Sequence, residues 1–110
     1  MLPAYTDKLP ETRSSRHNRV AFTPCESAPG AGVVTIGTDR GHTEYALVET
    51  ATDWAGRAFA LVKIGADGEQ YSCFVGDAVD SRCDCRGFQR WGTPCKHLLA
   101  VRKLVESGEI

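Results

Sequence analysis

The sequence predicts an α+β fold: an antiparallel β-meander of about four strands that runs into a ββα unit with one C-terminal helix. Three observations carry that prediction. Apolar and β-branched runs of strand length recur between residues 33 and 76, separated by turns that hold Gly and Asp. Two cysteines and then a Cys/His pair follow within CDCRGFQRWGTPCKH, Cys83 to His97. Behind them HLLAVRKLVES is apolar at helical spacing as far as Gly108, a residue type that stops helices.

Residues 1–32 read as an irregular or partly disordered arm. Pro3, Pro10, Pro24 and Pro29, the Ser14-Ser15 pair and Gly30 to Gly32 interrupt any regular element there. Residues 33–110 read as a single small domain. Val33 to Gly37 and Thr43 to Thr52 form the first two strands, joined by a turn over Asp39 and Gly41. After a turn at Trp54 to Gly56, Arg57 to Ile64 forms the third strand. Gly65 to Gly68 then connects tightly to the fourth, Gln70 to Gly76. Alternation sets Phe59 and Leu61 opposite Ala60, Val62 and Ile64, and Cys73 opposite Phe74. Both sides of these strands are apolar enough to expect partial cover on each.

The cysteine pattern sets the chemistry. Cys83 and Cys85 lie two apart, so on extended backbone both side chains face the same way and converge on one point. Cys95 and His97 are also two apart, which on a regular helix separates them by about 200°. Cys95 therefore belongs at the very start of the helix, and Thr93-Pro94 before it suits a helix N-terminus. A thiolate at that position gains from the positive end of the helix dipole. His97, Leu98, Val101, Leu104 and Val105 share one stripe, which should pack on the sheet and carry the imidazole toward the thiols. Three thiols and one imidazole make a closed tetrahedral set for Zn²⁺ with no position left for a substrate, so the metal's expected role is structural. A thiol redox pair and an iron–sulfur cluster are the alternatives. The first wants an exposed thiol, and the second a fourth cysteine, Cys73 or Cys25. Cys73 reads most simply as a small buried hydrophobe, and Cys25 has no evident ligand partner.

CxC, a spacer holding Phe88, Pro94 before the third cysteine and the run PCKHLLAV resemble the SWIM zinc finger, as does the strand Tyr71 to Val75 ahead of the first cysteine. The resemblance covers about residues 70–106. It implies a zinc-bound ββα unit with Cys83, Cys85, Cys95 and His97 as ligands, and nucleic-acid or protein binding rather than catalysis.

Charge suggests where a partner would sit. The net charge is −1, yet residues 1–20 carry four Lys/Arg against two acids and residues 21–81 carry three against nine. Arg82, Arg86, Arg90, Lys96, Arg102 and Lys103 face Asp84 alone across residues 82–103. That local +5 becomes about +4 once three thiolates hold a divalent ion. These six residues, with Leu99 between them on the outward helix face, are the candidate contact surface for nucleic acid, DNA first. A protein-interaction adaptor using Leu99 or the acidic sheet is the other reading. The alternative for Leu99 is packing under the arm, and Trp91 either fills the loop over the metal or projects to stack. His17 and His42 read as solvated, and Trp54 as a lid at a turn. No carboxylate pair or unliganded Cys/His dyad points to an enzyme or to a small-molecule substrate. No apolar stretch approaches the roughly 18 residues of a membrane span, and MLPAYTDKLPETRSSRHNRV lacks the apolar run of a secretory signal. The expected setting is the reducing cytoplasm, or the nucleoid or nucleus.

Overall fold

A computed structural model describes residues 4–12, 15–26, 28, 31–52, 56–65, 68–76, 81–91 and 95–110, apart from the side chains of residues 86, 87 and 91. Among the described residues, seven strands form one sheet in chain order, every neighbour antiparallel. They are β1 (Tyr5–Leu9), β2 (Asn18–Pro24), β3 (Ala31–Thr38), β4 (Gly41–Thr50), β5 (Gly56–Lys63), β6 (Gln70–Gly76) and β7 (Arg82–Cys83). Two helices follow, α1 (Arg86–Trp91) and α2 (Lys96–Glu106). No described helix is long and apolar enough to cross a membrane.

Strand alternation decides which side is the core. Val20 and Phe22 of β2, Val34 and Ile36 of β3, Tyr45 and Leu47 of β4, Phe59 and Leu61 of β5 and Cys73 of β6 all point inward and are buried. From α2 they receive Leu98, Ala100, Val101 and Leu104, also buried. Helix α2 touches β1, β2 and β3 at one end of the sheet and β6 and β7 at the other. The sheet therefore curls round the helix, and α2 fills the opening between its two ends. Leu98, Val101 and Leu104 each contribute roughly 1.5–3 kcal/mol by leaving water. A salt bridge from Lys103 Nζ to Asp7 of β1, 3.3 Å, ties the outer flank of the helix to the edge strand.

The sheet departs from the expected meander of four strands in two places. Residues 1–32 are not simply irregular, because β1, β2 and the start of β3 lie within them. Prolines there mark strand limits: Pro10 follows β1 and Pro24 is the last residue of β2, where a missing N–H costs no internal ladder bond. The β1–β2 connection is held from outside, since Asp39 in the β3–β4 turn accepts the backbone N–H groups of Arg16 and His17, both at 2.9 Å. The second departure is the outer face. Cover on both sides was the expectation, but Val48, Val62 and Ile64 point away from α2 and stay 50%, 36% and 49% exposed.

Glycine is required where β5 begins. Gly56 has φ +137°, and a Cβ there would come 2.5 Å from the Val75 carbonyl oxygen across the pair. The helix end also follows the sequence reading. Gly108 at φ +79° lets its N–H reach Val105 O at 3.2 Å and that of Glu109 reach Leu104 O at 2.9 Å, a Schellman cap. Trp54 and the Thr93-Pro94 pair lie outside the described residues, as does the side chain of Trp91.

Candidate metal centre

Two elements deliver thiols by the same local device. Cys95 is the N-cap of α2, with extended backbone at φ −91° and ψ 171°. Its carbonyl accepts the Leu99 N–H at 2.9 Å and its sulfur the Leu98 N–H at 3.4 Å. Cys85 does the same for α1, its carbonyl taking the Gln89 N–H at 3.1 Å and its sulfur the Phe88 N–H at 3.5 Å. Both sulfurs thus occupy the place of a capping oxygen, where N–H donors favour the thiolate. Helix α1 was not anticipated. It is six residues long and contains Gly87, so the Cys85 cap rather than residue propensity carries its start.

Cys83 arrives from the sheet. It lies directly across from Cys73 in the β6–β7 pair, and Asp84 fixes the short strand by exchanging bonds with Ser72: its N–H to Ser72 O at 3.1 Å and its Oδ1 to the Ser72 N–H at 2.8 Å. His97, the residue after Lys96 at the start of α2, turns inward on the buried stripe. Its Nδ1 faces the sulfurs of Cys95 and Cys83 at 3.7 and 4.0 Å. Its Nε2 lies 3.1 Å from the Tyr45 hydroxyl. The Tyr71 ring stacks on the imidazole at 4.4 Å, and Tyr45 meets it edge-on at 5.3 Å.

The four donor atoms of Cys83, Cys85, Cys95 and His97 all lie within 4.8 Å of one another. A tetrahedron with metal–sulfur bonds of about 2.3 Å and a metal–nitrogen bond of about 2.0 Å has edges of roughly 3.5–3.8 Å, so the donors surround a metal-sized point with little adjustment. Three of the four residues are buried and Cys95 is half-buried, so the point between the donors is enclosed. Cys85 is held well below the usual thiol range by bonds from Cys83 and then Cys95. Cys83 is pushed up, foremost by Cys73 and next by Cys85, and Cys95 is pushed up by Cys83 and Cys85. Burial pushes the Tyr45 hydroxyl up to about 12, so it stays neutral.

Cys73 is buried, as the sequence suggested, and stands 3.5 Å from the Cys83 sulfur without belonging to the group of four. Cys25 is exposed and is not one of the four residues of the cluster. The contact candidates spread over three elements. Arg82 is exposed on β7, Arg90 is exposed on α1, and Lys96, Leu99, Arg102 and Lys103 are half-exposed on the outward stripe of α2. Lys103 is committed to Asp7. The side chain of Arg86 lies outside what is described. What sequence reasoning missed is the second layer: Tyr45, in a middle strand 52 positions before His97, carries no spacing signal that links the two.

A strand, two helix caps and an inward imidazole converge on one enclosed point, the donor arrangement of the zinc-finger class. The model of the SWIM zinc finger family matches residues 61–101, from Leu61 in β5 to Val101 in α2, so this part of the chain is similar to a SWIM zinc finger. Strands β1 to β4 lie outside the matched segment. No curated protein and no solved structure matches the chain.

Proposed function

We propose that the chain is a non-catalytic module in which one structural Zn²⁺ fixes a basic surface for binding nucleic acid, DNA first. Zinc suits the donor set, because three soft thiolates and an imidazole at tetrahedral spacing select it over harder, oxygen-preferring cations. The observation that carries the reading is the placing of the cations. Arg82 adjoins Cys83, Arg86 adjoins Cys85, and Lys96 sits between Cys95 and His97 in the chain, so a chelate that locks the ligands also fixes the backbone that carries these cations. Arg90 on α1 and Arg102 on the outward face of α2 extend the array. Lys103 contributes less, since binding phosphate would break its pair with Asp7. A closed ligand set gives the metal no reactive position, and five thiols kept reduced suit the cytoplasm or nucleoid.

Titrating the zinc-loaded protein with single- and double-stranded DNA and RNA at increasing salt tests this. Five phosphate contacts predict a slope of log K on log salt of about −4, and Arg82→Glu with Lys96→Glu weakens all sequences alike. Flat signal at low salt sinks it. The adaptor reading has one observation in its favour, the uncovered Val48, Val62 and Ile64 on the outer face of β4 and β5. It predicts salt-tolerant binding that Val62→Asp or Leu99→Asp abolishes while charge reversal at Arg82 leaves it intact.

A further inference from the structure

We propose that Tyr45 is a positioning residue of the metal centre: its hydroxyl accepts the Nε2 proton of His97 and so commits the imidazole to bind the ion through Nδ1. The inference rests on the metal reading above and extends it to a strand outside the matched finger, because β4 precedes residue 61.

Both partners are buried, Tyr45 at 2% and His97 at 5% exposure, so water does not compete for either atom. A neutral imidazole carries one N–H and one lone pair. The sulfurs of Cys83 and Cys95 lie on the Nδ1 side, where an ion held by thiolates requires the lone pair. The proton then belongs on Nε2, and the Tyr45 oxygen, 3.1 Å away, is the acceptor in place to receive it. The alternative, with Tyr45 donating to Nε2, would put a proton on Nδ1 in the ligand position. Tyr71, stacked at 4.4 Å and 25°, prevents the ring from tilting out of this plane. Tyr45 comes from the middle of the sheet, so the same bond couples the upstream strands to the metal. Partners of this kind set ring orientation and ligand basicity, and their loss costs roughly 10–100-fold in metal affinity.

The test uses the full chain, zinc-loaded and labelled with ¹⁵N at histidine. The expected spectrum shows His97 metal-bound at Nδ1 and protonated at Nε2, with the Nε2 proton slow to exchange. Tyr45→Phe keeps the ring and removes the acceptor. It is expected to bind zinc about 10–100-fold more weakly in competition with a chelator, and to exchange the Nε2 proton faster. Ligation through Nε2 in the unaltered protein overturns the proposal, whatever the variant does. Affinity of Tyr45→Phe within twofold of the parent also overturns it. A chain that takes up no zinc refutes the metal reading and this inference together, whereas zinc bound through the other nitrogen refutes the inference alone.

Discussion

Leu104→Ala probes the claim that α2 closes the curled sheet. Leu104 is fully buried, on the third turn of a helix that touches strands at both ends of the sheet. Truncation to Ala removes three carbons, which at about 0.8 kcal/mol per buried methylene costs about 2.4 kcal/mol in transfer alone. The surroundings are a β-sheet on both flanks and cannot collapse far into the space, so a cavity term adds to it. A total of about 3–4 kcal/mol follows, within the usual span of about 2–5 for Leu→Ala in a core. In a chain of this size each kcal/mol lowers the melting temperature by about 4 °C or more, so a fall of at least about 12 °C is expected. Guanidinium unfolding at saturating zinc measures it, with the midpoint shifted and the slope unchanged. Val105→Ala, half-buried one position along, should cost clearly less. A Leu104→Ala cost below about 1 kcal/mol, or one no larger than that of Val105→Ala, would refute the idea that α2 is the plug of this core.

Further outcomes concern the turn tie, the thiols and the glycine at β5. Hydrogen bonds from Arg16 and His17 hold the Asp39 carboxyl below its ordinary range. Its folded-state pKa therefore lies under the unfolded value of about 3.9, so its stabilisation is complete above that value and is lost as pH falls through the lowered one. Asp39→Asn should be less stable than the parent at neutral pH, with the gap closing in acid melts below about pH 3; a gap constant with pH contradicts the tie. The cysteines must lose their protons to hold zinc, so zinc uptake near pH 7 should release protons and tighten as pH rises. Calorimetry in buffers of different ionisation enthalpy counts them, and an affinity independent of pH between about 6 and 8 would contradict thiolate ligation. Gly56→Ala meets both a positive φ and the Val75 carbonyl, so a loss of about 1–3 kcal/mol is expected in the same unfolding assay.

The strands nearest the finger were legible because their residues alternate between turns. Gln70 to Gly76 matches β6 residue for residue, and Arg57 to Ile64 matches β5 within one position at each end. β2 did carry a signal, Val20 and Phe22 two apart and both inward, but Pro24 and the Pro and Gly that follow masked it. β1 is an edge strand with Asp7 and Lys8 on exposed positions, and such strands look like loops because charge protects an open edge. It is ordered by pairing with β2 and by the helix, neither of which local sequence can express. Spacing alone placed Cys95 at the start of α2, because two ligands two apart cannot share an ion from inside a regular helix. The aromatic layer behind His97 was invisible for the opposite reason: Tyr45 and His97 meet only because the sheet curls, 52 positions apart.

The central claim, that Cys83, Cys85, Cys95 and His97 jointly hold one zinc ion, is met most directly by X-ray absorption at the zinc edge on protein of measured metal content. One zinc per chain with three sulfur neighbours near 2.3 Å and one nitrogen near 2.0 Å is the predicted result. Substoichiometric metal, or a first shell with four sulfurs or with oxygen, would contradict it.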